Sequence, residues 1–287
     1  MPTQGEIAVA FTELSNLSPL VGRGGQKEVY KASYSGRDVA LKLILVASQD
    51  KARTEREIAA VSALNSDYVA KVFLSGIRRL GAEDRHFIVE QFITGSTLQE
   101  RLRRMPILPL GVVMPLAEAL LRACVDFEVA GLVHRDIKPG NLIIGNDGKV
   151  WVLDFGFVRM LDLESLTQTA EQWGVGTLGY SAPEQFRNRK PEINIRADLF
   201  SVGVVLHESL CGKNLYREGK RDPLAVIRHM ESQDLPPLSI PNDNKNEFSD
   251  LIAALTSRFP SRRPQTACEA LSWFGPIRDA MKGRGVI

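Results

Sequence analysis

Between His134 and Gly156 the chain reads H-R-D-I-K-P-G-N, then an apolar stretch from Leu142, a turn through Gly145-Asn146-Asp147-Gly148, a short strand Val150–Leu153, and Asp154-Phe155-Gly156. This stretch constrains the fold more than any other. An Asn-Asp-Gly turn between two apolar runs predicts a hairpin. Closing it brings three oxygen-bearing side chains, Asp136, Asn141 and Asp154, to the same end of the strand pair. One or two carboxylates with room left over suit a hard cation such as Mg²⁺, whose remaining positions phosphate oxygens can fill.

Length and composition set the frame. At 287 residues, with 44% apolar and 24% charged residues, the chain is long for one core and short for two unrelated domains, so one domain of two lobes fits. The formal charge of +2 is spread without a block of like sign, which argues against nucleic-acid or anionic-membrane partners. No apolar run approaches the ~18 residues of a spanning helix, and the first residues lack the basic start and apolar core of a secretory signal. Cys124, Cys211 and Cys268 lie far apart in apolar helical patterns, the usage of buried thiols in a reducing, cytoplasmic compartment.

In order, residues 1–19 form a leader of mixed polarity, expected to be a short helix or strand on the first lobe and given no further role. A glycine cluster at Gly22, Gly24 and Gly25 follows, flanked by strand-forming residues at Val29-Tyr30 and Val39-Ala40-Leu41. Such glycines let backbone N–H groups approach phosphate, although a plain β-turn explains the cluster equally well. Ile58, Val61 and Leu64 place an amphipathic helix over 49–64. Strands are predicted at 69–73 and 86–89 around a turn at 81–84. Helices are predicted at 97–104, 110–130, 195–210, 223–232, 247–257 and 265–274, with a proline-bearing loop over 235–246 and a disordered tail from 281.

The H-R-D-x-K-P-x-N and D-F-G pieces resemble the catalytic core of the protein kinases, and the likeness extends over roughly 20–275, with the wording of bacterial serine/threonine kinases. It implies an α+β, bilobal fold: a small antiparallel β-sheet N-lobe with one main helix over 20–93, a larger, mostly helical C-lobe over 94–275, and a tail over 276–287. It implies ATP and Mg²⁺ (or Mn²⁺) as cofactors and transfer of the γ-phosphoryl group to protein hydroxyls. Asp136, Lys138, Lys42 and Glu57 carry the catalytic roles: Asp136 takes the acceptor proton, Lys138 neutralises the transferred group, and Lys42, held by Glu57, fixes the α and β phosphates. Glu55 is the fallback partner. Asn141 and Asp154 hold the metal. Val21, Gly22, Gly24, Gly25, Val29, Ala40, Lys42, Gln91 and Ile93 form the ATP site.

The same resemblance makes 157–184 an activation segment. Thr167 and Thr169 match a doubly phosphorylated threonine pair, Arg135 offers a dock for phosphothreonine, and Thr177 contacts Asp136 and Lys138. Asp198 braces the catalytic loop, and Arg263 pairs with Glu184. The sequence departs from the family at two places. The third glycine of G-x-G-x-x-G is Lys27, preceded by Gln26, so Lys27 either touches phosphate or points to solvent. Glu90 falls at the gatekeeper position behind the adenine, where a buried carboxylate has to be paired or protonated; a one-residue shift in register removes it from there. An active kinase with protein substrates, itself in trans among them, is weighed against a nucleotide-binding scaffold and a small-molecule kinase. Ala182-Pro183-Glu184 and Gly176-Thr177 speak against the last.

Overall fold

Along Val39-Ala40-Leu41-Lys42-Leu43-Ile44 successive residues face opposite sides of a sheet, and all six are buried, so this strand is covered on both faces. The computed structural model describes residues 2–24, 27–44, 51–155, 175–186 and 193–286. They divide into two compact units, one of residues up to 65 together with 70–94, the other of 66–69 and the chain from 95 onward.

In the first unit, helix α1 (Gln4–Ala10) is followed by β1 (Leu14–Ser15), β2 (Leu20–Gly24), β3 (Lys27–Tyr34), β4 (Arg37–Ile44), α2 (Lys51–Ser62), β5 (Val72–Leu80) and β6 (Glu83–Gln91). The strands form an antiparallel sheet in the order β1-β3-β4-β6-β5, and β2 also pairs with β3. Ser35 and Gly36 both have positive φ, 49° and 76°, the conformation of a two-residue hairpin whose twist matches its strands. Val39, Leu41 and Leu43 join Tyr30, Ala32, Phe87 and Val89 on one face, against Ile7 and Phe11 of the leader. On the other face Ile44 and Ile88 pack on Ile58 of α2.

The leader therefore has a structural role that its mixed polarity conceals. Thr3 caps α1 and exchanges hydrogen bonds with Glu6, and Ile7 and Phe11 are buried against the sheet with Ala10, Leu14 and Leu17 packed around them. The expected strand at 69–73 is corrected to Val72–Leu80. Its solvated face breaks the apolar signal, and its length is set by pairing with β6.

The second unit holds β7 (Gly95–Thr97), α3 (Leu98–Arg104), α4 (Leu110–Val129), β8 (Leu142–Gly145) and β9 (Val150–Val152), then α5 (Val175–Leu178), α6 (Pro183–Phe186), α7 (Ile195–Cys211), α8 (Pro223–Ser232), α9 (Glu247–Leu255) and α10 (Ala267–Gly283). Strands β7, β8 and β9 make a small antiparallel sheet. Helix α7 is buried along most of its length, with α4 and α9 packed on it. Asn194 caps its start through Arg196 N–H, and Gly212, at φ 84°, ends it in the left-handed conformation. At Gly203 a Cβ would lie 2.7 Å from Thr256 Cγ2 and 2.8 Å from Leu255 Cβ, so glycine is what lets α9 approach. The sheet-and-helix unit and the mostly helical unit are the α+β elements the resemblance implies.

Two expectations are corrected here. The tail is helical to Gly283, because Ile277 and Met281 continue the buried face of α10. The thiols are not uniformly buried: Cys124 is, Cys211 is half-buried and Cys268 is exposed, since it follows Ala267 on the outer side of the first turn of α10. Among the described residues no helix is long and apolar enough to cross a membrane.

Candidate active site

Asp198 organises the catalytic loop of the second unit. It sits in the first turn of α7, where the helix dipole favours a carboxylate. Its oxygens accept the backbone N–H groups of His134 at 2.7 Å and Arg135 at 2.8 Å. Burial pushes its carboxyl up to about 7, against the pull of those two donors, which favour the charged form. Arg135 has φ 65°, a left-handed conformation that a side chain adopts at a penalty of about 1–3 kcal/mol. The strain is held from both sides: Asp198 takes its N–H, and Gln185 of α6 donates Nε2 to its carbonyl at 3.2 Å.

His134 is buried and neutral. Its Nδ1 accepts Asp136 N–H at 3.2 Å, so Nε2 carries the proton toward Leu153 O at 3.1 Å. Burial lowers its pKa to about 4. Its ring lies 4.5 Å from that of Phe155, and both rings lie against Phe127. The D-F step is thereby anchored to the H-R-D loop.

Asp136 is 8% exposed and stands at the centre of a network. Its Oδ2 accepts Lys138 Nζ at 3.0 Å and Asn141 Nδ2 at 2.7 Å, and Lys138 Nζ also donates to Thr177 Oγ1 at 3.0 Å. Asn141 Nδ2 also donates to Asp136 O at 2.9 Å. The amide nitrogen is thus committed to Asp136, and the amide oxygen is presented as an acceptor. Leu153 N–H bonds Asn141 O at 2.8 Å, which sets the residue before Asp154 beside Asn141. Asp154 itself has φ 61°, a conformation aspartate tolerates better than most residues. Among the described residues no group of three or more His, Cys, Asp or Glu gathers as a metal cage. An amide oxygen and a carboxylate are a donor set suited to a hard cation that brings phosphate oxygens of its own.

Beyond the loop, Arg263 and Glu184 form a buried two-pronged pair, with Nη1 to Oε1 at 2.6 Å and Nη2 to Oε2 at 3.0 Å. Ser201 Oγ donates to Tyr180 O at 2.8 Å, and Tyr180 Oη donates to Glu208 at 2.5 Å. Sequence reasoning misses Gln185 and Glu208 in these roles, because each acts through a contact distant in the chain.

In the first unit, Val29 lies opposite Lys42 and Gly22 opposite Val29, while Ala40 faces Glu90 across the ladder. Val29, Ala40, Lys42 and Glu90 therefore share the sheet face turned away from the leader. Lys42 Nζ meets Glu90 Oε1 at 2.5 Å, with both side chains buried. Gln91 N–H is taken by Lys71 O at 2.8 Å, Val21 is exposed, and Ile93 is half-buried. The side chain of Glu57, and Gly25, Gln26, Gly156, Thr167 and Thr169, lie outside the described residues.

The protein kinase domain family matches residues 16–274. The chain belongs to the protein kinase family. It is similar to bacterial serine/threonine members: 31% identical over 264 residues to the probable serine/threonine-protein kinase PknB of Bifidobacterium longum, covering 88% of this chain and 38% of that protein. With the serine/threonine-protein kinase PknA of Mycobacterium tuberculosis it shares 30% over 282 residues, 96% of this chain and 62% of the relative. The chain thus spans less than two thirds of the length of these relatives.

Proposed function

We propose that the chain is an ATP-dependent serine/threonine protein kinase that transfers the γ-phosphoryl group to protein hydroxyls. The observation that carries the reading is the Asp136–Lys138–Thr177–Asn141 network. It presents a carboxylate for an acceptor hydroxyl and an ammonium for the charge on the transferred group, both held by hydrogen bonds within the fold. Phosphoryl transfer asks for positioning and charge neutralisation more than covalent help.

In this reading Asp136 accepts the hydrogen bond of a serine or threonine hydroxyl, aims its oxygen at the γ-phosphorus, and takes its proton as the new O–P bond forms and the bond from the γ-phosphorus to the β–γ bridging oxygen breaks, with ADP leaving. Lys138, bound to both Asp136 and Thr177, offers its ammonium to the oxygens of the moving phosphoryl group. Lys42 binds the α and β phosphates from the first unit, where Val21, Gly22, Gly24, Gly25, Val29, Ala40, Gln91 and Ile93 enclose the rest of the nucleotide. Asn141 Oδ1 and the Asp154 carboxylate would hold Mg²⁺, which would supply positive charge to offset that of the phosphates. Autophosphorylation at Thr167 and Thr169, with Arg135 as the dock, is part of the proposal, as are protein substrates that include a second copy of the chain.

The test is transfer of radiolabelled phosphate from ATP to a generic protein substrate and to the chain itself, with Asp136→Asn as the control. Incorporation that disappears in the control is expected. Binding of ATP without incorporation above the control would refute the reading and favour a scaffold.

A further inference from the structure

Lys42 has a carboxylate partner inside its own sheet. Lys42 lies opposite Ile88, and Glu90 stands two residues further along β6, so the two are diagonal neighbours on one face. Their 2.5 Å contact closes with side chains only 7% and 10% exposed. Ile44 and Ile88, packed on Ile58, share that face, and Ala40 lies directly across from Glu90. A charge in such surroundings is tolerated only when an opposite charge meets it. Both partners ride on strands β4 and β6, which are paired along their length from Val39–Gln91 to Ile44–His86. Their spacing is therefore fixed by the ladder.

We infer that Glu90 is a positioning residue for Lys42, a sheet-borne anchor that holds the ammonium for nucleotide phosphate. The inference rests on the kinase reading for its consequence, but the placement of Lys42 can be measured without any phosphoryl transfer. The backbone that carries Glu90 moves relative to Lys42 only if the strand pairing breaks. The glutamate at this position thus sets nucleotide affinity through Lys42 rather than by touching the reacting atoms.

The experiment compares the parent chain with Glu90→Gln, Glu90→Asp and Glu90→Met. The first readout is the rate at which an amine-directed acylating reagent modifies Lys42 at one fixed pH, followed by peptide mass spectrometry. The neutral substitutions withdraw the charge that keeps the amine protonated, so Glu90→Gln is expected to react about tenfold faster, equivalent to about 1.4 kcal/mol. Glu90→Met gives the same reading should the amide variant fail to fold. The second readout is the division between KM and kcat: KM for ATP rises about tenfold while kcat changes far less, and Glu90→Asp recovers part of the affinity. Equal labelling of the parent and both neutral variants overturns the inference whether or not any form phosphorylates protein. An unchanged KM for ATP overturns it as well. Faster labelling with no phosphoryl transfer by any form upholds the anchor and overturns the kinase reading instead.

Discussion

Removing one end of the Arg263–Glu184 pair gives the largest stability effect that the second unit predicts for an ion pair. The guanidinium is fully buried and the carboxylate is 4% exposed. Arg263 donates to Glu184 twice, to Ser257 O at 2.8 Å through Nε and to Arg196 O at 2.9 Å through Nη1, and its guanidinium lies 4.8 Å from the ring centre of Phe200. Arg263→Met strands a buried carboxylate and two carbonyls. Glu184→Leu strands a buried cation. Each is expected to cost about 3–5 kcal/mol, a fall in melting temperature of about 6–20 °C for a unit of this size. The double variant has no uncompensated charge, so it should lose about 2 kcal/mol less than the sum of the singles. The assay is thermal and urea unfolding of the four proteins by circular dichroism. Single losses below about 1 kcal/mol, or strict additivity in the double variant, would refute the view that stranded charge, and not lost packing, dominates.

Gly203→Ala pushes a methyl group into Leu255 and Thr256, and a loss of about 1–3 kcal/mol is expected in the same unfolding assay. Thr177→Val removes an acceptor from Lys138, so phosphoryl transfer should fall with little change in stability, read by parallel activity and melting measurements. Thr167→Ala combined with Thr169→Ala is expected to lower activity, and full activity in that variant would refute control through this pair. For pH, His134 has a folded pKa near 4, below its ordinary 6.5, so its stabilising contribution is complete above 6.5 and is lost as pH falls toward 4. Asp198 runs the other way: with its carboxyl raised from 3.8 to about 7, the stability tied to its bound proton is present at low pH and lost as pH rises through 7. The two slopes oppose each other between pH 4 and 7. Replacing His134 with Gln should expose the Asp198 slope, seen as stability that climbs when the variant is titrated downward from pH 7.

Local signals reached local features. The helices at 110–129 and 195–211 carry strong apolar periodicity, and the Asn-Asp-Gly turn fixes the β8–β9 hairpin. Features made by partners distant in the chain left no such trace. Glu184 and Arg263 are 79 positions apart, and only the family resemblance suggested that they meet. The leader is opaque in the sequence because its packing residues, Ile7 and Phe11 with Ala10, Leu14 and Leu17 around them, follow no single helical or strand period. Strand β5 was misplaced since its exposed Arg79 alternates with residues buried by a strand that comes later in the chain. The contact between Lys42 and Glu90 required the sheet register, which fixes both strands at once.

The grip of Asp198 on two successive amides ties the dynamics of the H-R-D loop to the interior of its unit. Exposing His134 N–H or Arg135 N–H to solvent requires that α7 release a fully buried carboxylate, a motion close in free energy to dissolving the unit's core. In hydrogen–deuterium exchange, those two loop amides should be retained as long as the slowest amides of α7, although loops ordinarily exchange early.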